Sequence, residues 1–138
     1  MNKAIQEAQH AFDKGEIPIG AVIVLNGQII ARSHNLTETL NDVTAHAEMQ
    51  AITAAANFFG AKYLNQCTLY VTLEPCPMCV GALYWSQIGI VVYGAQETRH
   101  QFNGQSTYHP KTKVFGGVMA EPAEKLIHQF FELKRSLN

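Results

Sequence analysis

The sequence predicts a three-layer α/β/α sandwich built on a five-stranded mixed sheet, and three observations carry that prediction. Asn26-Gly27 lies between two apolar, β-rich runs; both positions of so tight a turn need positive φ, so the pair marks a hairpin. Helical and strand-like segments then alternate to the end of the chain, the pattern of a sheet covered on both faces. Its 138 residues suffice for one domain with one core, spanning 1–138.

Each element has its own signal. Ile5, Ala8 and Phe12 recur at helical spacing and Gly15 stops the run, so residues 2–14 read as an amphipathic helix with a short or missing first turn. Residues 20–25 and 28–32 are the hairpin strands, and the polar stretch 33–43 reads as a loop. Residues 45–59, rich in Ala, Met, Ile and Phe and closed by Gly60, read as a mostly buried helix. A strand at 68–73, a helix at 77–87 and a strand at 88–94 follow, and 96–110 shows no period. The last strand is expected at 113–119. The closing helix covers 122–137, with Leu126, Ile127, Phe130, Phe131 and Leu133 on its apolar side.

Composition narrows the function classes. A hydrophobic content of 47% excludes a disordered chain, and no apolar run approaches the roughly 20 residues of a membrane helix, so no membrane partner is expected. Charged residues make up 15%, below the ~25% typical of soluble domains, a hint that a partner subunit covers part of the surface. Ten basic and eleven acidic side chains leave a net charge of −1. Affinity for a nucleic acid would therefore come from a local patch rather than from bulk charge. Three cysteines and an N-terminus without a secretory apolar core point to the cytoplasm. Cys67, at the start of a strand, reads as a buried structural thiol.

The chemistry concentrates in two segments, His46-Ala47-Glu48 and Pro75-Cys76-Pro77-Met78-Cys79, each at a predicted helix start. Two thiolates and an imidazole form a soft, zinc-preferring set, and three protein ligands leave the fourth tetrahedral position open for water. Unpaired backbone N–H groups at a helix start favour the thiolate that binds metal. Pro75 and Pro77 lack that donor and fix φ, which suits entry into a helix. On a helix, Glu48 would sit roughly 200° around the axis from His46, so the two cannot both bind one metal by simple i, i+4 geometry. The backbone at a helix start can still aim Glu48 into the space beside the metal, where it would be a base rather than a ligand. A thioredoxin-like redox pair would leave His46, Glu48 and Pro75 unexplained. A structural zinc site wants a fourth ligand, and the obvious choices, Cys67 and His109, lack paired-ligand spacing. The joint pattern His-x-Glu followed by Pro-Cys-x-x-Cys is the signature of the zinc deaminases.

On these residues the chain resembles the cytidine deaminase-like superfamily, and within it the bacterial tRNA-specific adenosine deaminases. The resemblance extends through Gly15-Glu16-Ile17-Pro18-Ile19-Gly20-Ala21-Val22, Asn35, Asn41 to Glu48, Leu69 to Ala82 and Tyr93-Gly94-Ala95. It implies that His46, Cys76 and Cys79 hold one zinc ion per chain. Glu48 is then the catalytic proton shuttle between a catalytic water and the ring nitrogen. By the same resemblance Asn35 hydrogen-bonds the purine, Ala47 and Glu97 contact the substrate, and Phe130, Phe131, Lys134 and Arg135 meet the RNA. The implied substrate is the wobble adenosine of a tRNA anticodon loop, converted to inosine with release of ammonia. The implied assembly is a homodimer whose partner subunit helps to form the substrate groove.

The helix from Cys76 to Trp85 also resembles that of bacterial guanine deaminases, so a free purine base or nucleoside is the alternative substrate. Those enzymes resemble a design with a long C-terminal extension ending in an active-site tyrosine, and no aromatic residue follows Phe131 here. Tyr84 and Trp85 read as core or dimer packing. His10, His34, His100, His109 and His128 lack ligand spacing and read as surface or packing residues, with His100 and His109 the first candidates among them to line the groove. Lys111 and Lys113 read as a solvated strand edge.

Overall fold

The computed structural model describes residues 1–98 and 107–137. Its elements run α1 (Asn2–Asp13), β1 (Gly20–Leu25), β2 (Gln28–His34), α2 (Ala47–Phe59), β3 (Thr68–Leu73), α3 (Pro77–Ser86), β4 (Ile90–Ala95), β5 (Lys113–Phe115) and α4 (Ala120–Ser136). The five strands form one sheet in the order β2-β1-β3-β4-β5. β1 pairs antiparallel with β2 and β3, whereas β3, β4 and β5 run parallel. The sheet is therefore mixed, as expected.

Two apolar clusters separate the layers. Ala21, Ile23, Leu69, Val71 and Val91 pack with Ala47, Ala51 and Ala55 of α2 and Leu83 of α3. On the other face, Leu73 and Ala95 pack with Ala123 and Ile127 of α4, joined by Ile5 of α1. Gly20 permits the close approach of α1, because a Cβ there would overlap the backbone of Ala4 and Ala8. Alanine-rich α2 lies against β1 and β2 for a related reason: short side chains let a helix sit low on a sheet.

Boundaries shift where polar groups find partners. β2 runs two residues past its expected end at 32, since Gly20 still pairs with His34 and Ala21 with Ser33. The Ser33 hydroxyl is buried there and donates to the Ala47 carbonyl at 2.6 Å. α2 starts at Ala47 rather than 45, because His46 is extended (φ −70°, ψ 156°) and acts as its N-cap. The first turn of α1 is complete: the Ile5 N–H donates to the Met1 carbonyl at 3.0 Å. β4 begins two residues later than expected, because the Gly89 N–H turns to the Leu64 and Cys67 carbonyls. β5 stops at Phe115 instead of 119, where Gly116 lies against the Tyr93 ring and Gly117 takes φ +81°. α4 begins before Pro122, which its first turn accommodates without losing a hydrogen bond. Its apolar side is narrower than expected: Leu133 is 50% exposed. Among the described residues no helix is long and apolar enough to cross a membrane.

Candidate active site

Three chain segments meet where β2 and β3 end. β2 delivers Asn35, β3 delivers Glu74 and the Pro75-Cys76 entry to α3, and the N-terminus of α2 delivers His46 to Glu48. The N-caps of α2 and α3 are His46 and Cys76 themselves, both in extended backbone. Neither side chain caps its own helix, which leaves both directed to other work.

His46 Nδ1 lies 3.6 Å from Cys76 Sγ and 3.5 Å from Cys79 Sγ, and the three donor atoms fall within 4.8 Å of one another. A tetrahedral zinc with bonds of roughly 2.3 Å to sulfur and 2.0 Å to nitrogen spans an N···S edge of about 3.5 Å. The donor set therefore fits zinc in spacing as well as in chemistry. Charge tells the same story. A hydrogen bond from Cys79 and another from His46 hold the Cys76 thiol down at about 4, against the opposing effect of burial. Its bond to Cys76 raises His46, while the same sharing, with burial and the charge of Glu48, pushes the Cys79 thiol up. Without a cation one proton stays between the sulfurs; a divalent cation lets both become thiolates.

Glu48 is 4% exposed, and burial raises its carboxyl to about 7, with the nearby Cys76 thiolate pushing the same way. A cavity of about 470 Å³ opens beside it. Asn35, His46, Ala47, Glu48, Cys76 and Glu97 line that cavity, with apolar walls from Ile17, Ile19 and Leu73. Cys79 is fully buried behind them. A second cavity of about 770 Å³ shares the Leu73 and Glu97 walls and runs along α4, lined further by His128, Phe131 and Arg135.

The closing helix divides its four expected contact residues. Phe131 and Arg135 line the second cavity. Phe130 is 5% exposed and lies edge-on to Phe12 of α1, with ring centroids 6.0 Å apart. Lys134 Nζ sits 5.4 Å from the Phe130 ring centroid, and neither of these two residues lines either cavity. His109 packs on Tyr84 at 5.4 Å and lines neither cavity; His100 lies outside the described residues. Cys67 is buried, as expected.

Other residues that shape the site are not legible from metal-type spacing. Glu16 is buried and accepts from the Glu38 N–H at 3.0 Å, the Thr39 N–H at 2.7 Å and the Thr39 hydroxyl at 2.6 Å. Glu74 accepts the Glu97 N–H at 3.1 Å, which fixes the strip between the two cavities. His34 is buried, with Nδ1 2.9 Å from the Asn35 carbonyl and Nε2 3.3 Å from Lys14 Nζ. The ammonium can only donate, so Nε2 accepts and Nδ1–H donates.

A buried carboxylate poised near neutrality beside a zinc-type donor set marks a metal-dependent hydrolase. Residues 1–95 match the family described as "Cytidine and deoxycytidylate deaminase zinc-binding region". The chain is 44% identical to the tRNA-specific adenosine deaminase of Bacillus subtilis (strain 168), over 98% of this chain and 89% of that protein. It is also 44% identical to the tRNA-specific adenosine deaminase of Aquifex aeolicus (strain VF5), over 96% of this chain and 92% of that one. Among solved structures it matches, at TM-score 0.84 and 40% identity, one reported as "Biochemical and Structural Studies of A-to-I Editing by tRNA:A34 Deaminases at the Wobble Position of Transfer RNA", covering 91% of this chain and 96% of that chain. A guanine deaminase from Bacillus subtilis matches at TM-score 0.66 and 46% identity, but over 69% of this chain and 61% of that chain. The chain belongs to the cytidine and deoxycytidylate deaminase zinc-binding family.

Proposed function

We propose that this chain hydrolyses adenosine to inosine at the wobble position of a tRNA anticodon loop and releases ammonia. The observation that carries the reading is a pair of adjoining cavities that share Leu73 and Glu97 as lining residues. One has the volume for a base beside Glu48; the other continues along α4 and gives flanking nucleotides somewhere to go. A free purine would need only the first. Near-complete coverage of the tRNA-specific adenosine deaminases, against partial coverage of the guanine deaminase, supports the same choice.

His46, Cys76 and Cys79 would hold one zinc per chain. Zinc, when bound, supplies a Lewis acid and a water acidified to about pKa 7. Glu48, itself raised to about 7, takes a proton from the attacking water and returns it to the ring nitrogen. Asn35 hydrogen-bonds the purine edge, and Ala47 leaves room for a flat ring between His46 and Glu48. Ile17, Ile19 and Leu73 exclude bulk water from the base. Glu97 faces the junction of the two cavities, where the ribose of the neighbouring nucleotide would lie. Phe131 and Arg135 receive flanking nucleotides, with Phe130 and Lys134 supporting them from behind. A loop base can be turned into such a pocket far more cheaply than a stacked duplex base.

The reading places the whole chain, 1–138, in one deaminase domain that works in the cytoplasm as a homodimer. Trp85, 77% exposed on α3, supports the dimer. The test is ammonia release by zinc-loaded protein. It would be offered an adenine-wobble anticodon stem-loop, the same loop with guanine, free guanine and free adenosine. Turnover of the adenine loop alone is expected. Turnover of free guanine with none on RNA would move the chain to purine salvage.

A further inference from the structure

Gln50 lies one helical turn beyond His46 on α2 and is half-buried. Its side-chain nitrogen is 2.9 Å from the His34 carbonyl, 3.2 Å from the Ala45 carbonyl and 3.4 Å from the His46 carbonyl. An amide NH2 has two hydrogens, so one serves His34 and the other is shared between Ala45 and His46. Gln50 also donates its own backbone N–H to the His46 carbonyl at 3.2 Å.

These carbonyls stand at the two ends of one loop. His34 is the last residue of β2 and immediately precedes Asn35; Ala45 and His46 immediately precede α2 and Glu48. The same ends are tied by the Leu36 N–H, which donates to the Ala45 carbonyl at 3.0 Å. We propose that Gln50 is a positioning residue for deamination: its side-chain amide clasps both ends of the 35–45 loop and so fixes Asn35 relative to Glu48. The proposal rests on the reading that Asn35 holds the base while Glu48 moves the proton. Ordinary capping does not account for the arrangement, because a cap serves free N–H groups ahead of a helix, whereas this amide gathers carbonyls from two separate elements. A misplacement of about 1 Å between a held substrate and its catalytic group can cost on the order of a hundredfold in rate.

The test is Gln50→Met, which keeps length and helix preference but loses both donors. With one zinc per chain retained, kcat on the anticodon stem-loop should fall about tenfold, a modest share of the cost a 1 Å misplacement can carry. In an Asn35→Ala background the same change should cost less than about twofold, because the residue it positions is gone. Full additivity of the two losses, or no loss in the single variant, would overturn the proposal. Hydrogen exchange gives a readout independent of substrate. The Leu36 amide should exchange faster in Gln50→Met, while Leu69 and Val71 in β3 stay unchanged. Unaltered exchange at Leu36 would sink the positioning role even if the chain deaminated no substrate offered, whereas an inactive wild type would defeat the functional reading alone.

Discussion

In the proposed mechanism Glu48 would carry a proton between two partners, and among the described residues no other buried carboxylate lines the same cavity. Glu74 and Glu97 line that cavity half-buried, whereas Glu48 is 4% exposed, and its burial is what brings it near neutrality. Glu48→Ala should keep one zinc per chain by metal analysis and lower kcat by roughly 10²- to 10⁴-fold, the span of general acid–base catalysis. A variant that stayed fully active would remove Glu48 from the mechanism. The adjacent phenylalanines divide stability and binding unequally. Phe130→Ala empties a site against Phe12 and should cost about 3–5 kcal/mol in urea unfolding. Phe131 is only half-buried against the cluster of Leu73 and Ile127, and it also faces the second cavity. Phe131→Ala should therefore raise KM for the stem-loop as well as lower the unfolding midpoint, by less than Phe130→Ala does. His46, Glu48, Cys76 and Cys79 were legible in the sequence because metal chemistry demands fixed residue types at fixed spacing. Gln50 and Glu16 were not, because each acts on backbone groups that the fold, rather than the sequence, brings near.

At the scale of elements, the loop that carries Asn35 toward α2 leaves its apolar Leu40 and Val43 exposed and is held by polar ties. Glu16 is the strongest of these. Burial tends to raise its carboxyl, yet the Thr39 hydroxyl and the backbone N–H groups of Thr39 and Glu38 outweigh that and hold it below its ordinary value of 4.5. A carboxyl depressed in the folded state contributes stability that is present above the unfolded value and lost as pH falls through the folded one. Glu16→Gln should therefore destabilise the chain at pH 7, by about 1.5–3 kcal/mol for bonds that lose a charged acceptor. The gap between wild type and variant should close as pH drops below 4.5, followed by urea midpoints across pH 3–7. A gap that held constant with pH would mean that Glu16 acts through packing alone. Periodicity located α1, whose apolar residues share one face, whereas β1, β3 and α3 were located as short, largely apolar runs bounded by turn residues. The same signals lost the end of β2 and the end of β5 for opposite reasons. Ser33 and His34 are polar yet buried by hydrogen bonds, and Val118 is apolar yet lies past the glycines that stop the strand.

For the molecule as a whole, the two faces of the sheet differ in how well their helices are covered. α1 and α4 pack against each other as well as on the sheet. On the opposite face, α2 and α3 leave Phe58 at 67%, Tyr63 at 46% just beyond α2, and Trp85 at 77% exposure. Aromatic side chains left in water on one layer, in a chain with only 15% charged residues, are what a subunit contact requires. The sequence hinted at this through its low charge, but only the fold shows that the exposed aromatics share a layer with the helices that carry Glu48 and Cys79. The chain should therefore sediment at twice its monomer mass at micromolar concentration. Trp85→Arg should shift it to the monomer, since one central tryptophan can carry about 2 kcal/mol, ~30-fold in dissociation constant. If the partner completes the groove, the monomeric variant should also lose stem-loop turnover while keeping its zinc and its unfolding midpoint. A variant that stayed dimeric would place the contact elsewhere. A monomer that deaminated the loop at the wild-type rate would show that one chain builds the whole site.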